Sequence, residues 1–403
     1  MKLIRTYGFS LILMGSISAG LLLGTVSPET ARCIRPLGDL FLNLIFMIIV
    51  PLVFFTLSSA VASSAGKLSR ISWATTLVFF LTSLAAAVSA LIFMLIVSPA
   101  PRGEVAFLPG PKEDVPPFLE QMVKALTTAD FPELISRKSM LPLILFAVAV
   151  GMATRSCRDR GTPFAVFLSS GAAVFTRIVD YIMYTAPIGL LAWFAATVAD
   201  TGDKLASSYL MVFFVYYSFS ISYYVVAFTA YAYTAGRWPA VISFWREMPT
   251  PSLTALGTCS SMATMPVNLE AAPRMGVPHD VCDVVIPVGA ALHKDGSVIG
   301  GVLKIIFAMG LFHKQLTVES AVLTVGVAVL VGVAVGAIPG GGMIGEMLIL
   351  SVFGFPPETL PLLAAISIII DPLATLLNST GDNVAAMMVA RMTHGNLWPR
   401  LQA

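Results

Sequence analysis

Asp371, Thr375, Asn378 and Asp382 stand in the last apolar stretch of the chain at spacings of four, three and four. At about 100° per residue they fall within a stripe roughly 60° wide, so an otherwise apolar helix carries one polar face. Carboxylates at membrane depth are costly unless a cavity, a bound cation or a partner solvates them. They therefore point first to the handling of a solute or ion, with a structural ion pair as the plainer alternative. A second polar run, His293-Lys294-Asp295-Gly296-Ser297, interrupts the apolar stretch from Val284 to Leu292 and onward to Leu303. Gly296 is predicted to let the helix unwind, and unwound carbonyls beside Asp295 form an oxygen-rich cage suited to a hard monovalent cation. Lys294 and Asp295 could instead neutralise each other, but neighbours on an intact helix point about 100° apart, and each then needs another partner.

The elements that must position these groups follow from composition. Of 403 residues 57% are hydrophobic and 11% charged, against roughly 25% charged in soluble proteins. Charge-free stretches recur at Thr6 to Pro28, Leu40 to Gly66, Ile71 to Pro101, Leu205 to Gly236 and Met248 to Leu269, each long enough for a hydrocarbon core that needs about 20 apolar residues. The pattern is that of an all-α polytopic membrane protein, with spans at 7–27, 38–62, 74–98, 139–155 with 163–179, 183–200 and 206–235. The run from Tyr7 exceeds a signal-peptide core and is read as the first span. Basic residues at Lys2, Arg5, Lys67, Arg70, Arg155, Arg158, Arg160, Arg237, Arg246, Arg391 and Arg400 place both termini in the cytoplasm; Arg32 and Arg35, on the outer side, run against that rule. Pro99 to Lys138 is the long hydrophilic interruption and is expected to be an external loop. A net charge of +2 gives no surface for nucleic acid, and Cys33, Cys157, Cys259 and Cys282 share no metal or redox spacing.

Met248 to Leu269 has spanning length but contains Pro249, Pro251, Gly257, Ser260, Ser261 and Pro266. Two half-helices meeting at a serine tip suit it better than one straight helix, since irregular backbone is tolerated at membrane depth where protein or a cavity covers it. The shape recurs: Ser320 to Gly336 is apolar, Ala337-Ile338-Pro339-Gly340-Gly341-Gly342 cannot continue a helix, and Met343 to Gly354 is apolar again. Paired interrupted hairpins, each followed by a further helix, mark the binding region of an inverted-repeat secondary transporter; a kinked span is the alternative for either one alone.

The serine hairpin Gly257-Thr258-Cys259-Ser260-Ser261-Met262-Ala263-Thr264-Met265-Pro266, the Asp-Gly-Ser break, the Pro-Gly-Gly-Gly hairpin and the closing Asn378-Ser379-Thr380-Gly381-Asp382 resemble the dicarboxylate/amino acid:cation symporters. Phe41 to Ser64 is similar to that family's second span, so the resemblance covers nearly the whole chain. It implies eight transmembrane helices plus two re-entrant hairpins in a homotrimer, with a scaffold (residues 1–70 and 101–200) holding a transport unit (71–100 and 201–403) that moves like an elevator. It places Asp371 on the amino group of a small-molecule substrate, with Ser260, Ser261, Ser297, Thr375, Asn378 and the tip residues Ile338, Gly340 and Gly342 around the rest. No tightly bound cofactor is implied. Na+ is a possible coupling ion, held by Gly289, His293, Asp295, Asn378, Asp382, Thr82 and Ser83.

Two departures from the family pattern bear on function. Acidic-substrate members carry an arginine one turn before the asparagine, where this chain has Ala374. An acidic side chain there would lack its charge-assisted partner, so a small neutral amino acid is expected, with Cys259, Lys294 or a shifted basic group as possible substitutes. The family's Asn-Met-Asp-Gly-Thr is His293-Lys294-Asp295-Gly296-Ser297 here. Three couplings follow: the Lys294 ammonium stands in for a sodium ion; His293 or Glu346 carries a proton; or Lys294 pairs with Asp382 and one sodium site survives. A hydrolase would need Ser260 or Ser261 with His293 as base, in a context lacking any catalytic motif. A channel is the other rival, which a charged Lys294 and a proline-glycine gate disfavour.

Overall fold

The computed structural model describes residues 2–63, 70–97, 99, 123, 127–136, 139–201, 204–337 and 341–395. Most of the expected external loop, the tip residues Ile338, Pro339 and Gly340, and the basic residues Lys67 and Arg400 lie outside the described residues. Helices account for the structure: α1 (Lys2–Val26), α2 (Pro28–Cys33), α3 (Arg35–Ser63), α4 (Arg70–Ile96), the short α5 (Phe131–Leu134), α6 (Met140–Ser156), α7 (Thr162–Met183), α8 (Ala186–Thr201) and α9 (Lys204–Glu247). Then follow α10 (Pro249–Thr258), α11 (Ser261–Arg274), α12 (His279–Leu292), α13 (Asp295–Leu311), α14 (Val318–Ala337), α15 (Gly341–Phe353) and α16 (Leu360–His394). Among the described residues, Arg70–Ile96, Arg158–Val179, Tyr209–Glu247 and Pro357–His394 are long and apolar enough to cross a membrane. The helices fall where hydropathy puts spans. The exception in length is α9, which runs on past the expected 235 and bends at Gly236 and Arg237, the latter with φ 58°.

Both expected hairpins are present as pairs of helices, of 10 and 14 residues in the first and 20 and 13 in the second. In the first, α10 ends at Cys259, whose φ of 47° and ψ of 35° are left-handed, and Ser260 caps α11 by accepting the Ala263 amide at 3.2 Å. In the second, α14 and α15 flank the tip and pack along each other. α16 runs beneath both. It packs against α9, α10, α11, α12, α13 and α4, and its residues from Leu373 to Met387 are buried throughout. Three tyrosines on α9 tie it to this centre: Tyr209 donates to the Leu362 carbonyl at 3.2 Å, Tyr216 to that of Gly296 at 2.9 Å, and Tyr217 to that of Ile369 at 3.1 Å.

A second group of contacts joins α1 and α3 to α8, and α3 to α6 and α7. Here glycine permits close approach of backbones: a Cβ on Gly20 would lie 2.5 Å from the Leu191 carbonyl oxygen, and one on Gly24 2.5 Å from that of Ala195. This four-residue spacing of glycines is a helix-packing motif in lipid. Arg32 and Arg35, the two cations out of keeping with the charge rule, both pair with Asp200 at the end of α8, at 3.0 and 3.2 Å. The four cysteines are free thiols.

Gly24→Val should force α1 away from α8 and cost about 1–3 kcal/mol, read as a lower melting temperature in detergent. Gly326→Ala, where a Cβ meets nothing within 4 Å, should leave it unchanged.

Candidate ligand and cation site

The break between α12 and α13 sits at His293 and Lys294, not at Gly296 as the sequence suggested. His293 is extended (φ −93°, ψ 109°), Lys294 has φ −138° and ψ 56°, and Asp295 and Gly296 already belong to the first turn of α13. Gly296 is there for another reason. A Cβ on it would lie 2.3 Å from the Ala374 carbonyl oxygen, so glycine lets α13 touch α16. At that contact Asn378 Oδ1 accepts the amides of Gly296 at 2.8 Å and Ser297 at 3.2 Å, and its Nδ2 donates to Ser297 Oγ at 3.1 Å. Asn378 thus satisfies amides that the start of a helix leaves without partners.

The two buried residues of the break send their side chains in opposite directions. Lys294 Nζ donates to Ser261 Oγ at 2.8 Å and to the Ala290 carbonyl at 2.7 Å. The ammonium therefore reaches the tip of the first hairpin, where α11 begins, and not the aspartate pair. His293 takes that position instead. Its ring is 1% exposed; Nδ1 lies 3.1 Å from Asp382 Oδ1, and Nε2 lies 2.8 Å from Thr82 Oγ1 and 3.3 Å from Asp295 Oδ1. Phe79 stacks on the ring at 4.3 Å between centroids and 10° between planes. Ser83 Oγ donates to Asp295 Oδ1 at 2.8 Å. Asp382 is seated against Gly289, where a Cβ would fall 2.3 Å from its Oδ1. Every member of the expected cation set is thereby in one buried neighbourhood except Asn378, whose side-chain oxygen is spent on α13.

A sodium ion among these side chains is poorly matched. Asp382 Oδ1 only accepts, so Nδ1 of His293 must donate to it; the Thr82 hydroxyl lies 3.2 Å from the Phe79 carbonyl as a donor, which leaves its oxygen to accept from Nε2. Both ring nitrogens then present hydrogens where an ion requires lone pairs. The Oδ2 atoms of Asp295 and Asp382 are buried without a hydrogen-bond partner, so each carboxylate holds one oxygen in reserve.

One turn and more away, a cavity of about 240 Å³ opens between α13, α14, α15 and α16, lined by Ser297, Lys304, Gly342, Ser367, Asp371 and Ala374 among others. Asp371 is exposed to it, with Thr375 Oγ1 at 3.3 Å from Asp371 Oδ1. Lys304, two turns beyond Ser297 on the same face of α13, was missed in the sequence; as a lone cation in an apolar run it carries the usual signal of an intramembrane functional group. Its ammonium is 3.2 Å from Glu346 Oε1 and 2.6 Å from Ser367 Oγ, while Glu346 Oε2 is unpartnered. Glu346, expected as a proton carrier behind the second tip, is thus half of an internal ion pair. Ser260 and Ser261 do not meet His293: Ser260 Oγ caps α11 and Ser261 Oγ accepts from Lys294.

Gly289→Ala should push the Asp382 carboxylate off its seat. The expected result is a melting temperature several degrees below that of the unaltered chain and loss of ligand-induced stabilisation.

A profile of the Sodium:dicarboxylate symporter family matches residues 9–392. Relatives include a protein named proton/glutamate-aspartate symporter from Bacillus subtilis, 26% identical over 93% of this chain and 92% of its own length. A C4-dicarboxylate transport protein from Rhizobium etli is 27% identical over 94% of this chain and 87% of its own length. A proton/sodium-glutamate symport protein from Geobacillus stearothermophilus is 24% identical over 96% and 95%. With the interrupted hairpins, the broken α12–α13 segment and the polar stripe of α16 in place, the chain belongs to the sodium:dicarboxylate symporter family of multi-pass membrane transporters.

Proposed function

We propose that the chain carries a small amino acid with a neutral side chain across the cytoplasmic membrane as a symporter, coupled to Na+ and/or H+. The observation that supports this reading best is the cavity between Asp371 and Ala374. Asp371 supplies a carboxylate for an ammonium group, and Ala374 leaves space without a cation on α16. Ser261, with the Lys294 ammonium 2.8 Å from its hydroxyl, provides a charge-assisted seat for the ligand's carboxylate. Ser260, Ser297, Thr375, Asn378 and Gly342 of the second hairpin complete the enclosure; Ile338 and Gly340, which the family resemblance adds to it, lie outside the described residues. No catalytic role is assigned to any of them.

The motion proposed is an elevator. Residues 71–100 and 201–403 form the moving unit, and residues 1–70 and 101–200 the scaffold, in a homotrimer with both termini on the cytoplasmic face of the inner membrane. The packing of α4, α9–α13 and α15 around α16, with α14 against α13 and α15, and of α1 and α3 with α6–α8, supports that division.

A second reading, an acidic amino acid or C4-dicarboxylate as substrate, is favoured by Lys304 in the same cavity and by the names of the relatives. Against it stands the Lys304–Glu346 pair, since an anionic side chain would have to displace Glu346 from an ammonium already neutralised.

A thermal-shift screen against the amino acids and several dicarboxylates separates the two. A ligand at a hundred times its Kd stabilises by about 2.7 kcal/mol. Small neutral amino acids are expected to raise the melting temperature, and Asp371→Asn to abolish the rise. Stabilisation by a dicarboxylate that lacks an ammonium group, retained in Asp371→Asn, would replace the first reading with the second.

A further inference from the structure

We infer that the His293 side chain is the resident cation of the Asp295–Asp382 site, a built-in substitute for a sodium ion, so that ligand binding in this chain does not draw on sodium at that position. The inference rests on the transporter reading above and extends it to the identity of the ion.

Two carboxylates in one buried neighbourhood repel and are each costly to desolvate, so the ionised pair calls for a positive charge between them. The geometry supplies one. The ring bridges the two Oδ1 atoms, with Nδ1 at 3.1 Å from Asp382 and Nε2 at 3.3 Å from Asp295. Its face is closed by Phe79 at 4.3 Å, and a Cβ on Gly381 would meet Cε1 of the ring at 3.3 Å. These contacts come from three separate elements, α4, the start of α13 and α16, so the ring is fixed by packing as well as by charge. Ser83 and Thr82, the hydroxyls that would join an ion's oxygen shell, are instead engaged with Asp295 and with the ring. Extended backbone at His293 is what directs the imidazole inward. An oxygen-bearing residue in the same conformation would leave a void lined by Thr82, Ser83, Asp295 and Asp382, all acceptors or hydroxyls, which is the donor set a hard monovalent cation takes.

The test needs no substrate. Purified protein is melted across a sodium chloride series with choline chloride holding ionic strength constant. The unaltered chain is expected to melt within about a degree throughout, because its site is already filled. His293→Asn, which replaces the ring by an amide oxygen, should melt lower in choline and regain several degrees saturably as sodium rises. His293→Gln serves if the asparagine variant does not fold. A saturable sodium-dependent rise in the unaltered chain that Asp382→Asn removes would overturn the inference, and so would a folded His293→Asn protein indifferent to sodium. Failure of every amino acid and dicarboxylate to bind would discredit the transport reading while leaving this measurement interpretable.

Discussion

The imidazole of His293 between the carboxylates of Asp295 and Asp382 is the interaction on which the rest of the site depends. The three side chains are buried to 1% exposure or less, and either acid alone in such surroundings would be costly. Holding all three requires the chain to break between α12 and α13, because a continuous helix would send residues 293 and 295 in directions about 200° apart. It requires a bare backbone at Gly289 for Asp382 to rest on, and one at Gly296 for α16 to approach α13. Asn378 then closes the break by taking the first amides of α13. A break that an ion could justify is here closed by protein side chains.

Charge is distributed in two layers. In the inner layer two carboxylates face His293, with the Lys294 ammonium directed towards the first hairpin. In the outer layer Lys304 and Glu346 pair across the cavity rim with Ser367, and Asp371 remains as the carboxylate open to the cavity without an ion-pair partner among the described residues. An ammonium-bearing ligand would complete the outer layer. The two buried cations Lys294 and Lys304 therefore do different work: one reaches the hairpin tip, the other occupies an acid that would otherwise compete with Asp371.

Much of this was legible in the sequence. The spacing of Asp371, Thr375, Asn378 and Asp382 gave their common face, because a period of 3.6 leaves few other ways to arrange them. Proline and glycine marked both hairpins. Arg32 and Arg35 violated a charge rule that counts residues and not pairs, and Asp200, 165 residues and more away in the chain, resolves them. The misplaced break shows the limit: Gly296 was read as a point of unwinding, whereas it is a point of contact, and glycine serves both without a local sign of which. The directions of His293 and Lys294 were likewise hidden, since neighbours in extended backbone point to opposite sides and only tertiary packing decides which faces the acids. Lys304 stands alone at the end of an apolar run, and only the fold brings Glu346 and Ser367 to it, from 42 and 63 residues further along the chain.

The most direct measurement is nitrogen NMR of the histidine-labelled protein in lipid, with the His293 signal assigned by its loss in His293→Asn. The chain has 4 histidines, which keeps the spectrum simple. Both ring nitrogens of His293 should carry a hydrogen, and their shifts should be unchanged when choline is exchanged for sodium. A ring nitrogen without hydrogen, or a shift that titrates with sodium, would contradict a resident imidazolium between the two aspartates.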